Sequence, residues 1–122
     1  MKTLIFLLAA ALYLTTSAAD AAGDAVNGKL LYGTHCIACH SIEASLAGPA
    51  HRGVFGRRAG SVRDFEYSPA LAKSHVIWND DTLNKWLANP EKLIPGQQMN
   101  YSIPAAQDRA DLIAYLKTQT AR

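Results

Sequence analysis

The chain contains Cys36-Ile37-Ala38-Cys39-His40, and this stretch holds both of its cysteines. Two cysteines at this spacing, followed directly by a histidine, form the attachment pattern of a c-type haem. The spacing suits the chemistry, because two thiols can add to the two vinyl groups of one haem while the next residue turns its imidazole under the iron. The pattern therefore predicts one covalently attached haem c with its iron. Cys36 and Cys39 are the predicted thioether donors, and His40 is the predicted proximal ligand.

Two other interpretations of these cysteines are open at this point. A thioredoxin-like redox pair is expected in a βαβ context, which this sequence lacks. Half of a zinc site needs a second pair of ligands at finger or ribbon spacing, and His51 and His75 are too widely spaced to supply one. Haem attachment is the interpretation that agrees best with the histidine after the second cysteine.

The composition is that of one globular domain. The chain has 122 residues, of which 49% are hydrophobic, with 12 Lys and Arg against 10 Asp and Glu. This length suits a single domain, and the combination of low hydrophobicity and high net charge that is typical of disorder is missing. A formal net charge of +2 without a clustered basic face excludes the nucleic-acid-binding classes. We therefore expect no nucleic-acid partner, and we expect a monomer.

The N-terminal segment has the pattern of a secretory signal peptide. Lys2 precedes an uncharged apolar run over residues 4–14, and small residues follow at 17–19. The run is about half of the ~20 residues that a membrane-spanning helix needs, so a permanent anchor is the weaker alternative. We predict a cleavable signal peptide over residues 1–19, with cleavage as late as residue 21 as an alternative. The single domain then covers residues 20–122, and its predicted location is the bacterial periplasm.

The hydrophobic patterns predict an all-α domain, since no segment alternates with period two. A first helix is expected from Asp24 to Thr34, with an apolar face formed by Val26, Leu30 and Leu31. A C-terminal helix is expected over 107–120, with an apolar stripe formed by Leu112, Ile113, Tyr115 and Leu116. Gly28 inside the first helix costs about 1 kcal/mol relative to Ala. A close crossing of the two helices at Gly28 would explain that cost.

Shorter helices are predicted between these two. Ser68 suits an N-cap, and Pro69 suits the first helical position after it. Asn79 is a cap for a helix that must end before Pro90. The stretches 41–66 and 91–102 are predicted to be loops, and loops of this length are explained if they wrap a haem that forms the centre of the core.

Met99 is the candidate for the second axial ligand. The chain has two methionines, and Met1 lies in the predicted signal peptide. A methionine in a loop is usually a core filler, but Met99 follows a Pro95-Gly96 turn in a chain that also carries the haem motif. With His40 and Met99 both bound, no iron position is open to a substrate. The iron could then only alternate between its ferric and ferrous states, as in an electron carrier.

These and further residues together resemble the class I c-type cytochromes, in particular the bacterial relatives of mitochondrial cytochrome c. The likeness runs from about residue 23 to residue 120. It rests on an ordered set of stretches, namely 28–32, the haem motif, Gly48-Pro49, 53–60, Ile77-Trp78, 87–90, 94–96 with Met99, and 109–117. The resemblance implies the small cytochrome c fold, with crossing terminal helices, short helices and long loops around one haem. It also implies a soluble one-electron carrier that is not an enzyme.

The resemblance further implies roles for single residues. Pro49 corresponds to the proline whose carbonyl accepts a hydrogen bond from the proximal histidine. Arg57, Tyr67 and Trp78 correspond to residues that hydrogen-bond the haem propionates. Gln97 stands where a propionate-bonding threonine is common, and whether it replaces that contact is open. The histidine of the loop after the motif, His51, lies one position earlier than relatives usually place theirs.

The implied partners are redox proteins of the respiratory chain or the periplasm. Examples are a quinol-oxidising membrane complex, a terminal oxidase, and a periplasmic reductase or dehydrogenase. Two other functions stay open, an enzyme or gas sensor in which Met99 leaves the iron, and a dedicated subunit of a larger periplasmic enzyme.

Overall fold

Five helices frame residues 22–122, the part of the chain that this computed structural model describes. Their bounds are α1 Ala25–His35, α2 Pro69–Ala72, α3 Asp80–Ala88, α4 Pro90–Leu93 and α5 Ala106–Thr118. Between residues 22 and 122 the extended pairing is limited to an isolated antiparallel bridge between Arg58 and Ile77. The predicted all-α class is confirmed. The predicted signal peptide over residues 1–19 and its cleavage site lie outside the described residues.

The two long helices, α1 and α5, cross at Gly28, as predicted. A Cβ atom at Gly28 would lie 1.9 Å from the carbonyl oxygen of Asp111 and 2.9 Å from Cβ of Tyr115. Gly23 makes a similar approach, because a Cβ there would lie 2.1 Å from the carbonyl oxygen of Ala110. Only glycine lets the two backbones come so close, which explains why a poor helix former lies in the middle of α1.

The buried face of α1 differs from the predicted one. Val26 and Leu30 are 76% and 68% exposed, whereas the buried residues of the helix are Gly28 and Tyr32. The predicted apolar stripe through Val26, Leu30 and Leu31 was therefore wrong. Residues four apart lie on the same side of a helix, and the close crossing turns the side with Gly28 and Tyr32 inward. Leu31 lies beside this contact and is only partly buried.

A buried carboxylate ties α1 to α5. Asp111 is 3% exposed. Its carboxylate oxygens accept hydrogen bonds from the backbone N–H of Asp24 at 2.8 Å, from Asn27 Nδ2 at 2.7 Å and from Gln107 Nε2 at 2.8 Å. These three donors hold the pKa of Asp111 below its ordinary value. The ionised carboxylate therefore stabilises the helix crossing.

Asp111→Asn should destabilise the protein at neutral pH by about 1–3 kcal/mol, because either orientation of the amide turns an NH₂ group toward a donor. The pKa of Asp111 in the folded protein lies below its value in the unfolded chain, which is near 3.8. The ionised carboxylate therefore stabilises the folded protein fully above pH 3.8, and this contribution is lost as the pH falls through the folded-state pKa. Urea unfolding of both proteins at about pH 7 and about pH 2 measures this loss. The unfolding midpoints of the variant and the wild type should differ less at about pH 2 than at about pH 7. An equal difference at both pH values would contradict this role, and Asp108→Asn on the same helix is the control.

The short helices begin at side-chain caps. Ser68 accepts a hydrogen bond from the N–H of Leu71 at the start of α2, and Asn79 forms a reciprocal capping box with Thr82 at the start of α3. Both predicted starts are confirmed. The predicted loop over 91–102 was wrong at its beginning, because Pro90–Leu93 forms α4 with Asn89 as its cap. The same cap-then-proline pattern that identified α2 is present at Asn89-Pro90.

The core lies between the helices and the long loop that follows the haem motif. Its buried hydrophobic residues are Tyr32, Val54, Ala59, Leu71, Trp78, Leu83, Ile94, Ile103, Leu112, Ile113 and Leu116. The loop folds back on the motif through backbone hydrogen bonds, including Gly48 N–H to the carbonyl of Cys39 at 2.7 Å and His51 N–H to the carbonyl of Ser41 at 3.0 Å. This return of the chain builds the surroundings of His40. Among the helices α1 to α5 of residues 22–122, none combines the length and the apolar composition that a membrane span requires.

Candidate haem site

The motif cysteines and histidine share one tight turn directly after α1. The N–H groups of Cys39 and His40 both donate to the carbonyl oxygen of Cys36, at 3.1 and 2.8 Å. Cys36 is half-buried and Cys39 is exposed. Burial raises the pKa of the Cys36 thiol to about 11, whereas the attacking cysteine of a redox pair needs a lowered pKa. Over residues 22–122, no group of three or more His, Cys, Asp and Glu side chains could hold a metal ion by itself.

The ring of His40 is oriented by the carbonyl of Pro49. His40 Nδ1 lies 2.8 Å from that oxygen, which can only accept a hydrogen bond. Nδ1 therefore carries the proton, and Nε2 keeps its lone pair. Burial lowers the pKa of His40, which favours the neutral ring that this arrangement needs. Nε2 is thus the atom of His40 that is available to a metal ion.

Gly48 lies directly against the same ring. A Cβ atom at this position would lie 2.2 Å from His40 Cε1 and 2.6 Å from each ring nitrogen. Any side chain at residue 48 would therefore displace the imidazole. In the sequence, Gly48 is notable only as part of the Gly48-Pro49 pair on which the family resemblance rests. That pair does not predict the contact between Gly48 and the ring of His40.

Arg57 and Trp78 are brought side by side by their backbones. The N–H of Trp78 donates to the carbonyl of Arg57 at 2.9 Å, and the N–H of Gly56 donates to the carbonyl of Trp78 at 2.6 Å. The Trp78 side chain is buried, with its ring centroid 5.3 Å from that of Trp86. Two loops that are distant in sequence thus meet beside the core.

The Arg57 side chain has a buried donor with no partner. Its Nη1 and Nη2 donate to the carbonyls of Arg52 and Ala50, at 3.0 and 2.9 Å, whereas its Nε is buried and unpaired. Tyr67 has its hydroxyl oxygen 3.2 Å from the N–H of Val62, from which it accepts. The hydroxyl proton of Tyr67 therefore remains available. Unpaired N–H and O–H donors of this kind suit an anionic ligand group.

Met99 lies half-buried inside a turn that its neighbours hold closed. The N–H of Asn100 donates to Gln97 Oε1 at 2.9 Å, and Gln97 Nε2 donates to Asn100 Oδ1 at 2.7 Å and to Glu91 Oε2 at 3.0 Å. Asn100 adopts a left-handed φ of 50°. An amide nitrogen has two donors, and both are used here. Gln97 therefore has no N–H left for a propionate. Instead it holds closed the turn over residues 97–101, which we call the Met99 loop.

The Met99 loop is also joined to the end of α1. The hydroxyl of Tyr101 lies 2.8 Å from Nδ1 of His35, which is the last residue of α1 and directly precedes Cys36. Neither Tyr101 nor His35 was predicted to have a structural role. The two residues are 66 positions apart in sequence. No local pattern could have identified this contact.

His51 lies against the ring of His40, which was also not predicted. The two ring centroids are 4.1 Å apart, and the rings are inclined by only 19°. His51 Nδ1 lies 2.9 Å from the hydroxyl of Tyr32. A second imidazole thus stacks on the predicted proximal ligand.

Comparison with known proteins identifies the family. The family model described as Cytochrome c matches residues 25–120. The chain belongs to the cytochrome c family. This cytochrome is 44% identical to cytochrome c of Gibberella zeae over 82% of its own length and 98% of that protein. It is 44% identical to cytochrome c2 of Rhodopila globiformis, over 79% of its own length and 93% of that protein.

A solved structure shows the same fold. Cytochrome cH from Methylobacterium extorquens superposes with a TM-score of 0.75 at 40% identity, over 79% of this chain and 99% of that one. The predicted membership of the class I c-type cytochromes is therefore confirmed. This cytochrome binds a covalently attached haem c with its iron, and its family consists of electron carriers.

The described residues fit this cofactor. One turn presents two thiols and an imidazole, and Nε2 of that imidazole is free of hydrogen bonds to protein. Gly48 leaves no side chain between the loop and the ring of His40. The unpaired Nε of Arg57 suits the carboxylate of a propionate.

Proposed function

We propose that this cytochrome is a one-electron carrier in which Cys36 and Cys39 form the thioether bonds and His40 and Met99 are the axial ligands. The main support is the hydrogen bond from His40 Nδ1 to the carbonyl of Pro49, at 2.8 Å, because it leaves the lone pair of Nε2 free to bind the iron. When bound, the haem iron supplies a couple between the ferric and ferrous states. Because the chain supplies both axial donors, it leaves no position for a substrate.

The protein positions the ligands and the charged groups of the cofactor. The hydrogen bonds of Gln97 keep the turn around Met99 closed, so that the thioether is presented without a large entropy cost on binding. Arg57 and Tyr67 contribute an N–H and an O–H toward the propionates. Trp78, which is fixed to the Arg57 backbone, is the third propionate contact of the proposal.

The binding of external ligands distinguishes an electron carrier from the alternative function as an enzyme or gas sensor. The reduced wild-type protein should keep its spectrum under carbon monoxide, and the oxidised protein should keep its spectrum with cyanide. It should nevertheless exchange electrons rapidly with small outer-sphere oxidants and reductants. Rapid binding of carbon monoxide would show that Met99 leaves the iron readily and would favour the sensor or enzyme.

The proposed partners are redox proteins. A quinol-oxidising membrane complex is a candidate donor, and a terminal oxidase or a periplasmic reductase is a candidate acceptor. Near the motif, Cys39 is exposed, and Ile37 and Leu46 are 59% and 56% exposed. Exposed apolar side chains of this kind favour a transient contact close to the site of electron exchange. We propose a monomeric carrier, and stoichiometric co-purification with one enzyme would instead identify a dedicated subunit.

We also propose that residues 1–19 direct export to the bacterial periplasm and are then removed. The support is the sequence pattern of one basic residue, an uncharged apolar run and small residues before the cleavage position. The mature domain would begin at residue 20, or at residue 22 if cleavage follows residue 21.

Replacing Leu7 and Leu8 together by Arg should block export, because two charges interrupt the apolar run. Thioether bonds are expected to form outside the cytoplasm, so the retained protein should lack covalent haem. Cell fractionation, followed by haem staining of denatured protein, measures both effects. The control replaces the same two residues by Ala, which keeps the run uncharged. Cytoplasmic protein with a full complement of covalent haem would contradict the proposed compartment.

A further inference from the structure

His51 is a sheltered titratable residue that the proposed ligation does not use. Its ring centroid is 4.1 Å from that of His40, with an angle of 19° between the ring planes. Two imidazoles in this arrangement stack face to face rather than edge to face. His51 therefore contacts the flat side of the proposed proximal ligand.

Tyr32 fixes His51 in the core. The Tyr32 side chain is 5% exposed and packs on Tyr115, with ring centroids 5.3 Å apart. Its hydroxyl lies 2.9 Å from His51 Nδ1, and a buried hydroxyl needs such a partner. The orientation of the His51 ring is therefore set by a residue of the crossing between α1 and α5.

The two imidazole rings meet face to face. The 4.1 Å separation of their centroids and the 19° inclination place the π face of His51 against the ring of His40. A π face attracts positive charge that lies above it.

We propose that Tyr32 and His51 form a positioning pair for the proximal ligand. Tyr32 anchors His51, and the ring of His51 fixes the plane of the His40 imidazole and stabilises the positive charge that this imidazole shares with ferric iron. The inference rests on the proposed role of His40 as an axial ligand. Since the ferric state carries the larger positive charge, the pair lowers the midpoint potential.

Three variants test the pair. His51→Leu removes the ring and the hydrogen bond, and Tyr32→Phe removes only the hydroxyl. His75→Leu is the control, because it also replaces a histidine by leucine but at an exposed position. The measurements are the midpoint potential, the electron paramagnetic resonance g values of the ferric protein, which report the plane of the axial imidazole, and the thermal midpoint.

The potential of His51→Leu should rise. At the potential where the wild-type protein is half reduced, the variant should contain about three times as much ferrous as ferric protein. This ratio corresponds to a rise of ~28 mV in the midpoint potential, at ~59 mV per factor of ten. Its g values should shift. Tyr32→Phe keeps the ring but frees it to turn, so its g values should shift or broaden with a smaller change in potential. His75→Leu should match the wild type in all three measurements.

The inference is overturned if His51→Leu has the wild-type potential and g values and only its thermal midpoint falls, because this is the result of a merely structural role. If His51→Leu does not accumulate with haem, Tyr32→Phe decides, and unchanged g values in that variant overturn the pair. A wild-type protein without the spectrum of histidine ligation would instead refute the proposed function.

Discussion

Met99→Ala should lower the midpoint potential by on the order of 0.1 V or more, within the ~0.8 V range that axial ligands span. The haem should stay covalently attached through Cys36 and Cys39. Two effects act in the same direction, since the variant loses a soft thioether that favours ferrous iron and admits water that solvates the ferric charge. The variant should also bind carbon monoxide and cyanide. Redox titration and ligand titration measure the two consequences.

Gln98→Ala is the matched control for this prediction, because Gln98 precedes Met99 and is exposed. A histidine that replaced the thioether would also lower the potential but would keep the iron low-spin, so the spin state separates such a rescue from a vacant position. Candidates for this rescue are His35 and His75, since His51 is held against His40 by stacking and by its contact with Tyr32. A Met99→Ala protein with the wild-type potential and the wild-type resistance to external ligands would show that Met99 is not a ligand.

Gly28→Leu should destabilise the protein strongly while the haem stays attached. Its Cβ atom would lie 1.9 Å from the carbonyl oxygen of Asp111, so a backbone must move. Overpacking typically costs about 1–3 kcal/mol, and the separation of α1 from α5 would also break the hydrogen bonds of Asp111. At ~4–8 °C per kcal/mol for a domain of this size, the thermal midpoint should fall by about 10 °C or more.

Gly33→Leu is the control for this substitution. Gly33 lies in the same helix, and a Cβ atom there would meet nothing within 4 Å. Leucine is a better helix former than glycine, so this variant should be as stable as the wild type or slightly more stable. Equal thermal midpoints for the two leucine variants would contradict the account of the helix crossing.

Local sequence signals were sufficient for most of the helical frame. The cap at Ser68 and the cap at Asn79 each depend on two or three neighbouring residues, and both predicted helix starts agree with the structure. Gly28 was informative for the same reason, because glycine inside a helix is costly unless a close contact requires it. The cap at Asn89 shows that the same reasoning, applied once more, would have found α4.

The contacts that shape the site could not be read in this way. Asp111 binds Asn27 across 84 positions, and Tyr101 binds His35 across 66. Each partner is an ordinary polar residue whose role exists only after the helices have packed. The inward side of α1 was missed for a related reason, because the requirement for close backbone approach outweighed the burial of Val26 and Leu30.

In the proposed function, His40 and Met99 both ligate the iron of a one-electron carrier. An absorption spectrum recorded during a redox titration of the wild-type protein, made in a host that attaches c-type haem, tests this ligation. We expect one reversible one-electron transition between two low-spin states, and a weak long-wavelength band of the sulfur–iron bond in the ferric protein. A high-spin ferric spectrum without that band would contradict it.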